Sequence, residues 1–205
     1  MKSIIYTIGR QYGSGGHEIG EKLAKKLNIP FYDSELIALA APKTGMSQEV
    51  FADIDERHTN SFLYSLSLGA YGLNGGAGFT EPSLNDKLFI AQCEVIEDAA
   101  KQGSCVFVGR CADYVLRDYD NVVNVFVYSN INNRIERIES VRDLTYSKAV
   151  DAIKKKDKKR SSYYNYYTNN KWDSPDNYDL MLSTDSITTD EAVDLILKYA
   201  DIKFK

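Results

Sequence analysis

The feature that most constrains the fold of this chain is a cluster of glycines that follows an apolar run near the N-terminus. Residues 3–8 (Ser-Ile-Ile-Tyr-Thr-Ile) are rich in β-branched and aromatic side chains, which predicts a buried strand. The glycine cluster then consists of Gly13, Ser14, Gly15 and Gly16. Apolar residues at helical spacing follow from Ile19 onward and predict a helix. The pattern therefore predicts a strand, a glycine turn and a helix in direct succession.

A glycine turn in this position can hold an anion. Backbone N–H groups at the start of a helix point at the ligand, the helix dipole adds positive potential, and glycines let a phosphate approach the backbone closely. We expect residues 13–16, together with His17, to cradle a phosphate. A tight turn without a ligand is the alternative for a glycine cluster taken alone.

The cluster departs from the usual phosphate-binding loop. Against the pattern G-x-x-x-x-G-K-[ST], the first glycine falls on Arg10, the lysine on Gly16, and the hydroxyl residue that binds magnesium on His17. Binding of a phosphate by backbone N–H groups needs neither of the missing side chains. The positive charge of the lysine must, however, come from another part of the chain.

The rest of the chain alternates strands with helices. Four further strands are predicted at residues 31–33, 104–110, 121–129 and 178–183. Helices are predicted from Ser34 to Pro42, at about 85–102, after Asn130, and after a capping-box pattern at residues 188–191. The glycine-rich residues 69–83 have no periodicity and predict a mobile loop. Five strands that alternate with helices predict an α/β fold, a three-layer αβα arrangement with a five-stranded parallel sheet.

Composition narrows the function classes. The chain has 25 Lys+Arg against 29 Asp+Glu, a net charge of −4, which argues against broad electrostatic binding to nucleic acid or to a membrane surface. Three cysteines without a CxxC pair favour reduced thiols over a disulfide framework or a zinc site. His17 and His58 lack a partner pattern, so we expect no protein metal site. No apolar window has the length of a signal-peptide core or a bilayer span, and we expect a cytoplasmic location.

Asp33 is a second candidate site residue. It ends the predicted second strand, and ligands in a doubly wound sheet bind outside the carboxyl ends of the strands, here beside the glycine turn. This position suits a contact with a substrate or with a metal-bound water. A helix cap is an equally good interpretation from spacing alone, because Asp33 leads directly into an apolar helical pattern.

The Gly109-Arg110 pair follows another strand and is expected at the same edge of the sheet. A guanidinium there has the bidentate geometry that suits a phosphate or a pyrimidine carbonyl. Asp113 lies three residues further on. It is expected to accept a hydrogen bond from an exocyclic amine of the substrate, or to pair with Arg110.

A basic stretch precedes the last strand. Its six cations within seven residues are Lys154, Lys155, Lys156, Lys158, Lys159 and Arg160, and only Asp157 interrupts them. A charge run of this kind is usually a solvated helix face. Four tyrosines between residues 163 and 167 could stack on nucleic-acid bases, but the net negative charge favours packing within the protein.

Taken together, these segments resemble the cytidylate kinase-like family, a divergent branch of the P-loop nucleoside monophosphate kinases. The resemblance covers nearly the whole chain, with residues 43–85 the least matched. The matching segments are RQYGSGG, IPFYD, FVGRCADYVL, DKKRSSYY and YDLMLSTDSIT. In this family a glycine turn without the lysine is typical. The position of His17 is commonly arginine in relatives, so this chain carries a weaker, pH-dependent cation there.

The resemblance implies a P-loop nucleoside monophosphate kinase-like fold in one domain. It also implies a substrate-binding helical insertion at about 34–85 and a lid at about 145–172. In the family, the arginine matching Arg110 contacts the nucleoside monophosphate. The lid pattern D-x-x-R is met by Asp157 and Arg160. Lys156 of the lid, Arg134 and Arg137 are expected to assist Arg160. The similarity also favours a functional role for Asp33.

These expectations add up to a hypothesis of an ATP-dependent phosphotransferase acting on CMP or dCMP. Residues 13–17 would hold the donor phosphates, and Mg²⁺ would arrive with the nucleotide. Arg110 and Asp33 would orient the acceptor, Arg160 would close over the transferring group, and Arg10 or a lid cation would replace the lysine. The alternatives are a nucleotide-binding protein with lost catalysis and a kinase of another small molecule. The acceptor and the oligomeric state stay open.

Overall fold

The structure is a computed structural model that describes residues 3–33 and 84–205. The predicted helix after Ser34, the predicted loop at 69–83, His58 and most of the predicted insertion lie outside these described residues. The chain forms two compact units, one of Met1–Asp33 with Ile96–Lys205 and the other of Ser34–Val95. Every candidate site residue named above lies in the first unit.

Five parallel strands form one sheet. They are β1 (Ile5–Arg10), β2 (Phe31–Tyr32), β3 (Cys105–Val108), β4 (Val122–Tyr128) and β5 (Leu180–Ser183). Their order across the sheet is β2-β3-β1-β4-β5, with β1 in the centre. Ile5 is paired with Cys105 of β3 on one side and with Val122 of β4 on the other. The predicted five-stranded parallel sheet is confirmed.

Six helices accompany the sheet in the described residues. They are α1 (Gly16–Leu27), α2 (Leu84–Gln102), α3 (Ala112–Val115), α4 (Ile131–Arg142), α5 (Tyr146–Thr168) and α6 (Thr189–Lys203). The predicted capping box is confirmed at the start of α6, where the Thr188 and Glu191 side chains bond reciprocally to backbone N–H groups. The basic stretch, which breaks the alternation of strands and helices, is part of the single 23-residue helix α5.

The core on one face of the sheet follows from strand alternation. Every second residue of β1, β3 and β4 points to this face, where α1 and α6 pack against each other and cover it. A smaller apolar cluster joins α4 to α5 through Ile135, Ile138, Ala149 and Ile153. On the other face, Phe126 of β4 packs edge-on against Trp172. No helix within residues 3–33 and 84–205 is both long enough and apolar enough to span a bilayer.

The strand order determines where a ligand can bind. The chain leaves β1 for a strand on one side of it and later returns to a strand on the other side, so a crevice opens at the carboxyl end of β1. The glycine turn follows β1 directly. Asp33 and the Gly109-Arg110 pair follow β2 and β3 at the same edge of the sheet.

Candidate phosphate-binding site

The glycine turn has a backbone that only glycine adopts readily at two positions. Gly13 and Gly15 have φ angles of 84° and 83°. A side chain at Gly13 would also collide with the backbone, because its Cβ would lie 2.9 Å from the carbonyl oxygen of Arg134. Gly15 is the residue before α1, and no side chain caps that helix start. The first N–H groups of α1 therefore have no partner within the helix and face the crevice as anion donors.

Ser14 anchors the turn from below. Its side chain is buried, and its hydroxyl lies 2.9 Å from the carbonyl oxygen of Gln11 and 3.1 Å from that of Val127 in β4. The hydroxyl of Thr184, just after β5, donates to the carbonyl oxygen of Ser14 at 2.9 Å. The side chain of Ser14 is thus turned into the protein, so any contact of Ser14 with a phosphate would come from its backbone.

Arg10 lies beneath the glycine turn at the end of β1. Its guanidinium is largely buried and lies against Gly109, with Nη2 at 3.5 Å from the Asp33 carboxylate. Its Nε is buried and has no hydrogen-bond partner within the described residues. Burial, with the nearby charges of Arg160 and Arg110, lowers the pKa of Arg10 to about 9 despite the opposing effect of Asp33.

Arg160 comes to the same place from α5. Its guanidinium donates to the carbonyl oxygen of Arg10 at 3.0 Å and lies over the ring of Tyr12 at 5.5 Å from the centroid. Burial lowers the pKa of Arg160, and the charge of Arg110 lowers it further, while Asp157 and Asp33 act in the opposite direction. The structure therefore brings together the three predicted catalytic arginines around the end of β1.

Asp33 is a carboxylate whose charge acts on all three of these arginines. It accepts a hydrogen bond from Nε2 of His17 at 2.9 Å in addition to its contact with Arg10. Burial alone would raise the pKa of Asp33, but the hydrogen bond from His17 and the charges of Arg10 and Arg110 hold it below the usual value. The same hydrogen bond raises the pKa of His17, so this pair favours a protonated imidazole at the start of α1.

Asp157 connects α5 to the glycine turn. One carboxylate oxygen accepts from the backbone N–H of Tyr12 at 2.7 Å, and the other pairs with the buried guanidinium of Arg134. Arg134 in turn donates to the carbonyl oxygen of Tyr12 at 3.3 Å. The predicted lid residues Asp157 and Arg160 are therefore already docked on the turn. This part of α5 needs no movement to reach it.

Two other predicted cations lie differently from the arginines under the turn. Lys156 is exposed on α5. Arg137 of α4 packs over Gly15, with its Cζ 3.1 Å from where a Cβ of that residue would be, and it pairs with Glu18 at 2.8 Å. Arg137 is thus a partly exposed cation beside the start of α1.

The turn after β3 has an unusual backbone. Gly109, Arg110 and Cys111 are three consecutive residues with φ angles of 82°, 60° and 56°, in the left-handed region. Asp113 follows in the short helix α3, and its carboxylate accepts a hydrogen bond from the Tyr164 hydroxyl at 2.6 Å. This bond to Tyr164 was not predicted from the sequence. The expected contact of Asp113 with a substrate amine or with Arg110 stays a prediction.

Sequence reasoning missed three contributors to this site: the buried Ser14 hydroxyl, the Arg134–Asp157 ion pair, and Tyr164. Ser14 is part of the glycine cluster that the sequence indicates, but the inward orientation of its hydroxyl could not be predicted. The ion pair joins two helices, and nothing in the local pattern of either one indicates the other. Tyr164 could have been suspected, since it is spaced one helical turn from Arg160.

Comparisons with known proteins show which family and which fold this chain resembles. The sequence matches the cytidylate kinase-like family over residues 5–186. A crystal structure of an uncharacterized protein from Eubacterium ventriosum ATCC 27560 is similar, with 28% sequence identity and a TM-score of 0.72 over 97% of this chain and 98% of that one. No curated protein matches.

More distant structures share the fold. Shikimate kinase from Acinetobacter baumannii, solved with shikimate, has 16% identity and a TM-score of 0.54, covering 100% of this chain and 97% of that one. A gluconokinase from Sinorhizobium meliloti 1021 has 15% identity and a TM-score of 0.51, covering 98% and 93%. At these identities the likeness shows the P-loop kinase fold and says nothing of the substrate.

Proposed function

Because the chain belongs to the cytidylate kinase-like family, we propose that it is an ATP-dependent phosphotransferase whose acceptor is a nucleoside monophosphate, CMP or dCMP. The observation that carries the proposal is the convergence of Arg10, Arg110 and Arg160 at the glycine turn, with Asp33 between them. Such an excess of buried positive charge is costly unless an anion offsets it. A nucleotide phosphate supplies that anion.

The proposal assigns the charge of the missing lysine to Arg10, with Arg160 beside it. Phosphoryl transfer spreads negative charge over three equatorial oxygens, and the protein contributes mainly positioning and charge stabilisation. Both guanidiniums lie at the end of β1, where the glycine turn begins. Burial and, after it, the charges of Arg160 and Arg110 lower the pKa of Arg10, and the charge of an incoming phosphate would act in the opposite direction.

The remaining roles divide between donor and acceptor. Residues 13–17 hold the donor phosphates through backbone N–H groups, with protonated His17 as an additional cation. Arg110 and Asp33 orient the acceptor. Transfer is direct and in line, without a covalent intermediate on the protein.

The magnesium ion that this fold implies would neutralise phosphate charge. His17 stands where the hydroxyl ligand would be, and imidazole is a poor ligand for so hard a cation. The residues of the turn therefore fit an ion that the nucleotide brings with it and holds through its phosphates and waters.

An acceptor panel tests the proposal. The purified chain is incubated with ATP and Mg²⁺ and, in turn, with CMP, dCMP, UMP, AMP, shikimate or gluconate, while ADP formation is followed in a coupled assay. We expect ADP with CMP or dCMP. ADP formed only with a non-nucleotide acceptor would show a kinase of another small molecule. ATP binding without ADP formation from any acceptor would show a nucleotide-binding protein.

Matched variants on α5 sharpen this test. Arg160→Met removes the charge and keeps the length of the side chain, and we expect it to lower kcat/KM by about 100-fold or more. Lys155→Met makes the same chemical change at an exposed position of the same helix and should leave activity unchanged. Equal activity of the two variants would contradict the role of Arg160.

A further inference from the structure

We propose that the hydrogen bond between Asp113 and Tyr164 positions the acceptor-binding Arg110 relative to Arg160. The inference rests on the proposed function for the roles of the two arginines, but the contact itself does not depend on those roles. Asp113 and Tyr164 are then positioning residues. Asp113 acts through Arg110, which lies three positions before it, and Tyr164 acts through Arg160 on the same helix.

The first reason is the backbone of the turn that carries Arg110. Arg110 and Cys111 adopt the left-handed backbone conformation although neither is glycine, and they follow Gly109, which has a positive φ as well. Backbone of this kind persists only where the surroundings hold it in place, and it is concentrated at functional sites. Asp113, three positions after Arg110, is held from outside the turn by its hydrogen bond to Tyr164.

The second reason is the cost of placing Asp113 where it is. Its carboxylate is buried, and burial raises the pKa of Asp113 to about 6 although hydrogen bonds from Tyr164 and from the backbone N–H groups of Asp113 and Tyr114 act against that rise. A buried carboxylate is retained only where its hydrogen bonds are made. Here three donors occupy most of the roughly four lone-pair sites of the carboxylate.

The third reason is the position of Tyr164. It is buried on α5, one helical turn beyond Arg160, so the two side chains lie on the same side of the helix. Arg160 donates to the carbonyl oxygen of Arg10, and Tyr164 donates to Asp113. Helix α5 is therefore fixed at two successive turns, to the end of β1 and to the element after β3.

The two contacts together fix the position of α5 relative to β1 and to the turn that carries Arg110. If the Tyr164 hydroxyl is removed, Arg160 keeps its bond to β1, while the segment that carries Arg110 loses the hydrogen bond from α5 to Asp113. The donor phosphates should bind as before, because the glycine turn is held by Ser14 and Asp157 instead. The acceptor should bind in a less productive geometry, and misplacement on the scale of 1 Å costs about 100-fold in rate.

Kinetics of matched variants provide the first arm of the test. We expect Tyr164→Phe to lower kcat/KM for the acceptor by about 10- to 100-fold, with the Kd for ATP unchanged. Asp113→Asn retains an oxygen acceptor for the Tyr164 hydroxyl and should recover most of the activity that Asp113→Ala loses. Tyr166→Phe removes a hydroxyl from an exposed position of α5 and serves as the control. A fall in melting temperature with unchanged kinetic constants would show a merely structural bond and overturn the proposal.

The second arm needs no turnover. In protein with ¹⁵N-labelled arginine, the Nε–H signals of Arg110 and Arg160 are compared between the wild type and the variants. We expect Tyr164→Phe to move the Arg110 signal and to leave that of Arg137 in place, whereas Tyr166→Phe moves neither. An unmoved Arg110 signal would overturn the positioning inference. If the wild type phosphorylates no acceptor, the proposed function fails, and this arm still decides whether Tyr164 positions Arg110.

Discussion

Two groups of charged side chains reach the glycine turn, and the positive charge of their arginines is balanced differently. Arg134 has its own carboxylate, Asp157, and both side chains bond to the backbone of Tyr12. Arg10, Arg110 and Arg160 instead share the field of Asp33, which also accepts a hydrogen bond from His17. The charge of Asp157 reaches Arg160 as well, but its oxygens are already bonded to Arg134 and Tyr12. The first group holds the turn in place, and under the proposed function the second group keeps positive charge for a ligand.

The largest effect is expected from removing an arginine of the second group. Arg10→Met should lower kcat/KM by at least about 100-fold, because it removes the charge of a side chain that packs against Gly16, where the lysine is missing. Thermal stability should stay the same or rise, since burial and two like charges already disfavour this guanidinium. Steady-state kinetics and thermal unfolding of the same preparation check both parts. Activity close to that of the wild type would transfer the charge-stabilising role to another cation.

Removing the arginine of the first group should mainly lower stability, whereas removing Arg10 should mainly lower activity. Arg134→Met should lower the free energy of unfolding by about 2–3 kcal/mol, because it leaves the Asp157 carboxylate without its partner in a mostly buried place. Urea denaturation measures the loss. Asp157→Asn should cost a similar amount, and the double variant should lose less than the sum of the two. A large loss of activity at unchanged stability would instead place Arg134 among the ligand-binding arginines.

The smallest expected effect is a pH dependence of stability that comes from the His17–Asp33 pair. The pKa of His17 is raised by its hydrogen bond to Asp33, so this pair stabilises the fold fully below the ordinary histidine pKa of about 6.5 and less as pH rises through the raised value. His17→Gln keeps a hydrogen-bond donor and cannot titrate. The wild type should exceed this variant in stability by under about 1 kcal/mol at pH 6, because the side chain is half exposed, and the difference should fade in alkaline solution. A difference that does not vary with pH would exclude a protonated His17.

Much of this arrangement could be predicted from the sequence because it depends on local patterns. The apolar runs determine the strands, and parallel strands bring their carboxyl ends to one edge, so Arg10, Asp33 and Arg110 were expected near the glycine turn. The structure indeed brings the charges of these residues together.

Other features depend on how helices pack, and no local pattern reports that. The Arg134–Asp157 pair joins α4 to α5, and the bond between Tyr164 and Asp113 spans 51 positions of the chain. Helix α5 has buried side chains at positions between Ala149 and Thr168, and the charge run within it did not indicate them. The lid expected at about 145–172 stays a prediction. The expectations for residues 34–83 stay predictions.

The anchoring of Ser14 has a consequence for the thermodynamics of ligand binding. Its hydroxyl and its carbonyl oxygen are bonded to Gln11, Val127 and Thr184, so the shape of the turn is determined by the sheet beneath it. A phosphate that arrives there meets N–H groups already in position, and little conformational entropy of the loop is lost on association. Most of the unfavourable contribution to binding would then come from dehydrating the phosphate and the arginines. We therefore expect affinity for the donor nucleotide to respond more to ionic strength than to substitutions that stiffen the loop.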